Sequence, residues 1–302
     1  MNVHFDNSSC LFKNLKTIDI IKKKPLYRKY YKQIFQIWTD ELDISDIIID
    51  TIYIKFQKQS YGTAIPKIAN GTMTFDIELA DDIAPYVSST QNDIDSFKAK
   101  SIFQHELFHC REIVNLYSKH VLPNPSPLDD NFRINTTYNF IYCEAVNTWS
   151  EFYACYYNYK INKWHEIPNL EDDMCQLNNW VVITNKQLDV SLAKNIYLSE
   201  EMLYTLRKFF NHVVSVIAVY LQNKEPILLK EFTDNYIKYP YLENYFNMIC
   251  DKLSQLIDTY PDWLSEDEYI LFGKSLLEIL HFNNLTYSTD DLSDNFRFKR
   301  LE

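Results

Sequence analysis

The spacing of apolar residues changes near residue 93, and this change constrains the fold of the chain more than any other feature. Before it, residues 72–79 alternate between apolar and polar side chains, and residues 47–56 are rich in β-branched and aromatic types. Alternation of this kind is typical of a half-buried strand, and Asn70-Gly71 just before the second segment is a strong hairpin signal. The pattern predicts a small sheet of two to four strands that ends before Pro85.

Helical spacing dominates the rest of the chain. Pro25 predicts the start of a helix, and Ser199 predicts the N-cap of another. The length of 302 residues suits about two domains. We therefore expect an α+β domain over residues 1–165 and a mostly α-helical region over residues 166–302. The segments with helical spacing are residues 12–42, 93–120, 138–160 and several between 175 and 282.

Composition excludes several functional classes. Three glycines cannot build a phosphate-binding glycine-rich loop, and no such motif occurs. The net charge of -11 and the pI near 5.1 argue against a nucleic-acid partner, so we interpret the basic run Lys22–Lys23–Lys24 as a solvated helix face. Six cysteines without a C-x-x-C pair, no signal peptide and no apolar segment long enough to span a bilayer predict a cytoplasmic protein without a membrane partner.

One motif carries recognisable chemistry: His105-Glu106-Leu107-Phe108-His109, an H-E-x-x-H sequence inside a predicted helix. Residues i and i+4 lie about 40° apart around a helix axis and about 6 Å apart along it, so both imidazoles can converge on one tetrahedral zinc ion. Glu106 is offset by about 100° from His105. A general base would take a proton from a zinc-activated water at that position.

The motif and its context resemble the zincin metallopeptidases over about residues 45–160. The resemblance implies a zincin-like core, in which a small mixed sheet packs on the H-E-x-x-H helix and on a later helix that bears a glutamate. It also implies one zinc ion, with His105 and His109 as ligands and Glu106 as the general base. The residues after His109 lack the glycine and histidine of the metzincin branch, so the gluzincin branch, which takes its third ligand from a later glutamate, is the better match.

Two glutamates compete for the third ligand position. Glu144 and Glu151 are seven residues apart, so they share one helix face. We prefer Glu151 because the segment Trp149-x-Glu151-Phe-x-Ala154 looks like the second motif of zincin-like families. Glu144 remains the alternative, either as the ligand or as a group that orients a histidine. Well-known gluzincins carry an aspartate four residues after the ligand, where this chain has Cys155, which we expect to be a packing residue like Cys110.

These features predict a zinc-dependent metallopeptidase that hydrolyses peptide bonds of a peptide or protein substrate. The alternative is a zincin-like binding or regulatory protein with weak or no catalysis. By the resemblance, the strand at residues 72–79 would be the edge strand that pairs with an extended substrate. The sequence does not select a residue to stabilise the oxyanion, and the candidates are Tyr61, Tyr138, Tyr142 and His165.

Overall fold

The computed structural model describes most of the chain. The described residues are 1–6, 8–13, 16–56, 62–87, 94–119, 136–163, 169–190, 196–197, 199–223, 230–287 and 296–300. They form two compact units. The first comprises Met1–Ser126 and Tyr157–His165, and the second comprises Pro127–Tyr156 and Glu166–Glu302. The fold is α+β and mostly helical with a small mixed sheet, as predicted at this level.

The first unit is built on a four-stranded mixed sheet. Its strands are β1 (Asn2–Phe5), β2 (Ile49–Lys55), β3 (Gly62–Ala69) and β4 (Thr72–Ala80), and their order across the sheet is β1-β2-β4-β3. β2 pairs in parallel with β1 and β4, whereas β3 and β4 are antiparallel. The predicted hairpin is confirmed, since Asn70 and Gly71 both have positive φ, 51° and 75°. The expectation that residues 72–79 form an edge strand is wrong: β4 lies between β2 and β3, and β3 is the edge.

Three helices complete the first unit together with the end of a fourth. They are α1 (Thr17–Asp40), α2 (Ala84–Val87), α3 (Ile94–Ser118) and the last residues of α4 (Thr137–Asn162). Tyr31 and Phe35 of α1 are fully buried, and Phe35 packs on Phe103 of α3 with ring centroids 4.7 Å apart. The prediction that Pro25 starts a helix is wrong, because α1 begins at Thr17 and runs through it. Pro25 is exposed, so water can satisfy the backbone carbonyl that the proline leaves without a helical partner.

The second unit is a set of helices with a small antiparallel sheet. The predicted N-cap is confirmed, because Ser199 Oγ accepts a hydrogen bond from Met202 N at 3.2 Å. Gly273 allows a close helix crossing, since a Cβ atom there would lie 2.4 Å from the Ile141 carbonyl oxygen. The three-stranded sheet, in the order β5-β7-β6, was not foreseen from the sequence. The elements of this unit, besides the first part of α4, are α5 (Leu170–Val190), β5 (Ile196–Tyr197), α6 (Glu200–Asn223), α7 (Lys230–Lys238), α8 (Tyr241–Thr259), α9 (Glu266–His281), β6 (Leu285–Tyr287) and β7 (Arg297–Arg300).

No helix among the described residues is both long enough and apolar enough to cross a membrane.

Candidate metal centre

The H-E-x-x-H motif lies in the middle of α3, where the helix is anchored on both sides. Phe103 and Leu107 are fully buried and hold one face of α3 in the hydrophobic core. His105 and His109 lie on a partly exposed face, half-buried. The helix predicted over residues 93–120 is therefore observed as Ile94–Ser118, with the histidines on the side that the apolar pattern leaves out of the core.

The two histidines face each other through the same ring atom. Their Nε2 atoms lie 3.0 Å apart, and the rings are nearly perpendicular, with an interplanar angle of 81°. This separation suits an N–H···N hydrogen bond between neutral imidazoles. It is also close to the roughly 3.3 Å between two nitrogens that ligate one tetrahedral zinc ion at its usual bond lengths. The rings therefore need little rearrangement to share a metal ion.

Glu106 is held against the edge strand of the sheet. The residue is 6% exposed, and its carboxylate packs directly on the backbone of Gly62, the first residue of β3. A Cβ atom built on Gly62 would lie 2.1 Å from Glu106 Oε1, so a larger residue cannot occupy that position without moving the carboxylate. Sequence analysis missed Gly62. The scarcity of glycine was a usable signal, because with only three glycines in 302 residues each one marks a position where another group can approach the backbone closely.

Buried polar side chains fix how α3 is rotated within the first unit. Gln104 Nε2 donates to the Trp38 carbonyl at 2.7 Å, and the Asn162 amide donates to Gln104 Oε1 at 2.9 Å. The Asn158 amide donates to Ser101 Oγ at 2.8 Å. Because Asn158 and Asn162 belong to the last turns of α4, one face of that helix is bonded to the face of α3 that carries Ser101.

Glu151 lies on the part of α4 that belongs to the second unit, and it has a weak hydrogen-bond donor. Cys155 Sγ lies 3.4 Å from Glu151 Oε1 and 3.3 Å from Ser215 Oγ, and Ser215 itself donates to the Asn211 carbonyl at 2.8 Å. Cys155 is fully buried, as expected for a packing residue, but its thiol also contacts the carboxylate. No spacing pattern points to Ser215, which lies 60 residues after Cys155 along the chain.

Glu144, the alternative ligand, has a strong partner of opposite charge. Its side chain is 1% exposed, and both of its oxygens accept from Arg207 Nε at 2.8 Å and 3.0 Å, while a further Arg207 nitrogen lies 2.7 Å from Oε1. Burial raises the pKa of Glu144, and the Arg207 guanidinium offsets that effect only in part. The carboxylate is therefore committed to an ion pair within the second unit.

The remaining sequence predictions concern the four candidates for stabilising the oxyanion and the cysteines. Tyr61 and His165 lie outside the described residues. Burial raises the pKa of both Tyr138 and Tyr142, and the nearby Glu266 carboxylate adds to that effect, so both phenols are neutral donors at neutral pH. Cys110 is fully buried, as predicted, and burial raises the pKa of its thiol well above the usual value. All six cysteines are free thiols.

Comparison of the chain with protein-family models, with curated protein sequences and with solved structures gave no match.

Proposed function

We propose that this protein is a zinc-dependent metallopeptidase whose site is centred on the H-E-x-x-H motif of α3. The observation that carries the proposal is the pair of facing imidazole nitrogens, 3.0 Å apart, beside the buried carboxylate of Glu106. Two imidazoles and a carboxylate from elsewhere in the chain are a ligand set that zinc takes in catalytic sites. His105 and His109 would hold the ion, and Glu106 would stand beside it without ligating it.

Glu151 would be the third ligand. Along α4, Glu151 and Cys155 share a face with Asn158 and Asn162, which bond the Ser101 side of α3, and His105 follows Ser101 by one helical turn. The assignment rests on the resemblance of the segment Trp149-x-Glu151-Phe-x-Ala154 to the second motif of zincin-like families. Within the second unit, the Cys155 thiol donates a hydrogen bond to the Glu151 carboxylate.

Hydrolysis needs a base for the attacking water and an acid for the leaving amine. When bound, zinc would supply the Lewis acidity that lowers the pKa of water and polarises the scissile carbonyl. The Glu106 carboxylate would accept one proton from the attacking water and then donate that proton to the amine nitrogen as the peptide C–N bond breaks. Contact with Gly62 would keep the carboxylate in place through both transfers.

The edge strand β3 offers a way to hold an extended peptide. β3 pairs only with β4 within the described sheet, so from Ala64 to Ala69 its other edge presents backbone N–H and C=O groups. A substrate strand could add there by main-chain hydrogen bonds. Because β3 begins at Gly62, such a peptide would run beside Glu106.

Metal content and peptide cleavage test the proposal together. We expect about one zinc ion per chain in the wild type, loss of zinc in His109→Ala, and retention of zinc with loss of cleavage in Glu106→Gln. A library of unstructured peptides, analysed by mass spectrometry, would report cleavage without knowledge of the natural substrate. Full cleavage by Glu106→Gln would contradict the assigned base, and a wild type without zinc after reconstitution would contradict the metal site.

One observation favours the alternative of a zinc-binding regulatory protein without turnover. The Cys155 thiol, a weak donor, contacts Glu151 at the position where well-known gluzincins carry an aspartate. This alternative predicts stoichiometric zinc together with stable peptide binding and no cleavage. The same peptide library separates the two, because only the peptidase generates fragments.

A further inference from the structure

The outer face of α1 concentrates positive charge in an acidic protein. Residues 20–39 contain six cations and no aspartate or glutamate, although the whole chain carries a net charge of -11. Four of the cations are exposed, whereas Lys24 and Arg28 lie partly buried toward the core side of the helix. We use the name α1 basic face for Lys22, Lys23, Lys29, Lys32, Ile21 and Leu26.

The lysines of the α1 basic face have no partners within the described part of the chain. None of the four forms an ion pair or a hydrogen bond there, in contrast to Lys55, Lys67 and Lys100, each of which pairs with a carboxylate. Unpaired lysines repel one another, so clustering them is unfavourable unless an anionic partner approaches. Their charges therefore make no visible contribution to holding the fold.

Two large aliphatic side chains project among these lysines. Ile21 is 68% exposed and Leu26 is 69% exposed, although α1 has a buried face built from Tyr31, Phe35 and Trp38. The face extends over about 16 Å from Ile21 to Lys32, at 1.5 Å per residue. Cations on long side chains with aliphatic groups between them match a surface that has anionic groups outside and hydrocarbon just beneath.

We propose that the α1 basic face docks on the surface of an anionic lipid bilayer. Lysines would contact lipid phosphates and carboxylates, while Ile21 and Leu26 would enter the boundary between headgroups and acyl chains. A nucleic acid offers phosphates but no hydrocarbon for exposed aliphatic residues, so the aliphatic pair favours lipid. Such a contact needs no spanning helix, and it is independent of the metallopeptidase proposed above.

The net negative charge of the chain does not prevent this contact. At physiological ionic strength, charges more than about 8 Å apart across water are largely screened, so the membrane responds mainly to the nearest face of the protein. Attraction should weaken steadily as salt is added. Part of the binding should survive high salt, because insertion of Ile21 and Leu26 is not electrostatic.

Sedimentation of the full chain with vesicles tests the proposal. The probes are phosphatidylcholine vesicles containing about a quarter phosphatidylserine, compared with phosphatidylcholine alone. We expect binding only to the anionic vesicles, and a loss of affinity of about a hundredfold when Lys22, Lys23 and Lys29 are changed to glutamine, because each lysine contributes about fivefold. Leu26→Gln should weaken the salt-resistant part of the binding, to which Ile21 also contributes.

A matched control changes the same net charge elsewhere. Changing Lys119, Lys163 and Lys186, all exposed and outside α1, to glutamine also takes the net charge from -11 to -14. Vesicle binding by this control at the wild-type level supports the α1 basic face. Three results would overturn the proposal: no binding of the wild type to anionic vesicles, an equal loss in both triple variants, or tighter binding to duplex DNA than to vesicles. Circular dichroism checks that each variant is folded.

Discussion

Glu144 and Glu151 lie two turns apart on one face of the same helix, yet their surroundings differ. Glu144 is fully buried and accepts three contacts under 3.1 Å from the Arg207 guanidinium. Glu151 is half-buried, and the thiol of Cys155 lies 3.4 Å from its Oε1. Glu144 pairs with a cation of its own unit, whereas Glu151 contacts a thiol, so we assign Glu151 and not Glu144 to the proposed metal site. Helix spacing alone does not distinguish the two glutamates as candidate ligands. The side chains that contact each of them do.

Replacing each glutamate in turn should have the largest effects. We expect Glu151→Ala to lose zinc and to reduce peptide cleavage by about a thousandfold, because a catalytic zinc site needs three protein ligands. Glu144→Ala should keep both zinc and cleavage but lower the free energy of unfolding by about 3 kcal/mol, since Arg207 loses its partner. Metal analysis and urea denaturation measure the two effects. Loss of zinc in Glu144→Ala alone would make Glu144 the third ligand.

The parts of the fold that follow from local pattern were predictable. The central helix was expected over residues 93–120 and runs over Ile94–Ser118, because its apolar residues repeat with the helical period along its whole length. The hairpin at Asn70 and Gly71 needed only two residues that tolerate positive φ. These features depend on neighbours within one or two turns of chain, which a single sequence displays.

Features that depend on distant partners were missed. β1 has four residues, and within the described sheet it pairs with β2, whose paired residues lie 49 positions further along the chain, so alternation alone could not identify it. The position of β4 inside the sheet depends on how β1 and β2 pair in parallel beside it. Likewise, the choice between the two glutamates depends on Arg207, which is 63 residues away from Glu144. Residue spacing reports only on neighbours within a few turns of chain, so it cannot predict these contacts.

A third carboxylate, that of Glu106, is positioned by its close contact with the backbone of Gly62. Gly62→Ala would place its methyl carbon only 2.1 Å from the present position of Glu106 Oε1. The carboxylate would therefore have to move. We expect cleavage to fall about a hundredfold while zinc content stays at the wild-type level, because a misplacement of about 1 Å costs that much in an aligned site. Kinetics and metal analysis on one preparation measure both.

Gly71→Ala is the matched control for the glycine substitution. Gly71 has φ +75° and no atom within 4 Å of a built Cβ, so the change strains the backbone without touching Glu106. It should lower the free energy of unfolding by about 1 kcal/mol and leave cleavage unchanged. Equal losses of cleavage in both variants would show that the sheet, and not the contact with Glu106, sets the activity.

The thiol beside Glu151 gives the next smaller effect. Cys155→Ala removes the hydrogen bond to Glu151 Oε1, and we expect the affinity for zinc to fall ten- to hundredfold, as is usual when a ligand loses its orienting partner. Cys155→Ser should keep most of the affinity, because a hydroxyl can donate to the same oxygen. Cys143→Ala is the control, since it also deletes a buried thiol from α4. Titration with a zinc chelator measures all three, and equal affinity in Cys155→Ala and the wild type would deny the thiol this role.

Asp173 of α5 is a second buried carboxylate that pairs with side chains of α6. Its side chain is 1% exposed and pairs with two neighbours of Arg207 on that helix: Lys208, at 2.9 Å, and His212, whose Nδ1 is also bonded to the carboxylate. Burial raises the pKa of Asp173, but hydrogen bonds from His212 and Lys208 outweigh burial and hold the pKa below the ordinary value of 3.8. Unlike Glu144, this carboxylate is therefore stabilised in its charged form.

The sign of the pKa shift fixes how stability should depend on pH. Because the folded pKa of Asp173 lies below the unfolded value of 3.8, its contribution is complete above that pH and is lost as the pH falls through the folded pKa. Asp173→Asn should cost about 1.5 kcal/mol at neutral pH, the usual worth of hydrogen bonds to a charged group. The difference from wild type should shrink below about pH 4. Urea midpoints from neutral to acidic pH measure this difference. A difference that stays constant with pH would mean that the charge of Asp173 contributes nothing to stability and that Asp173→Asn acts only through weaker packing.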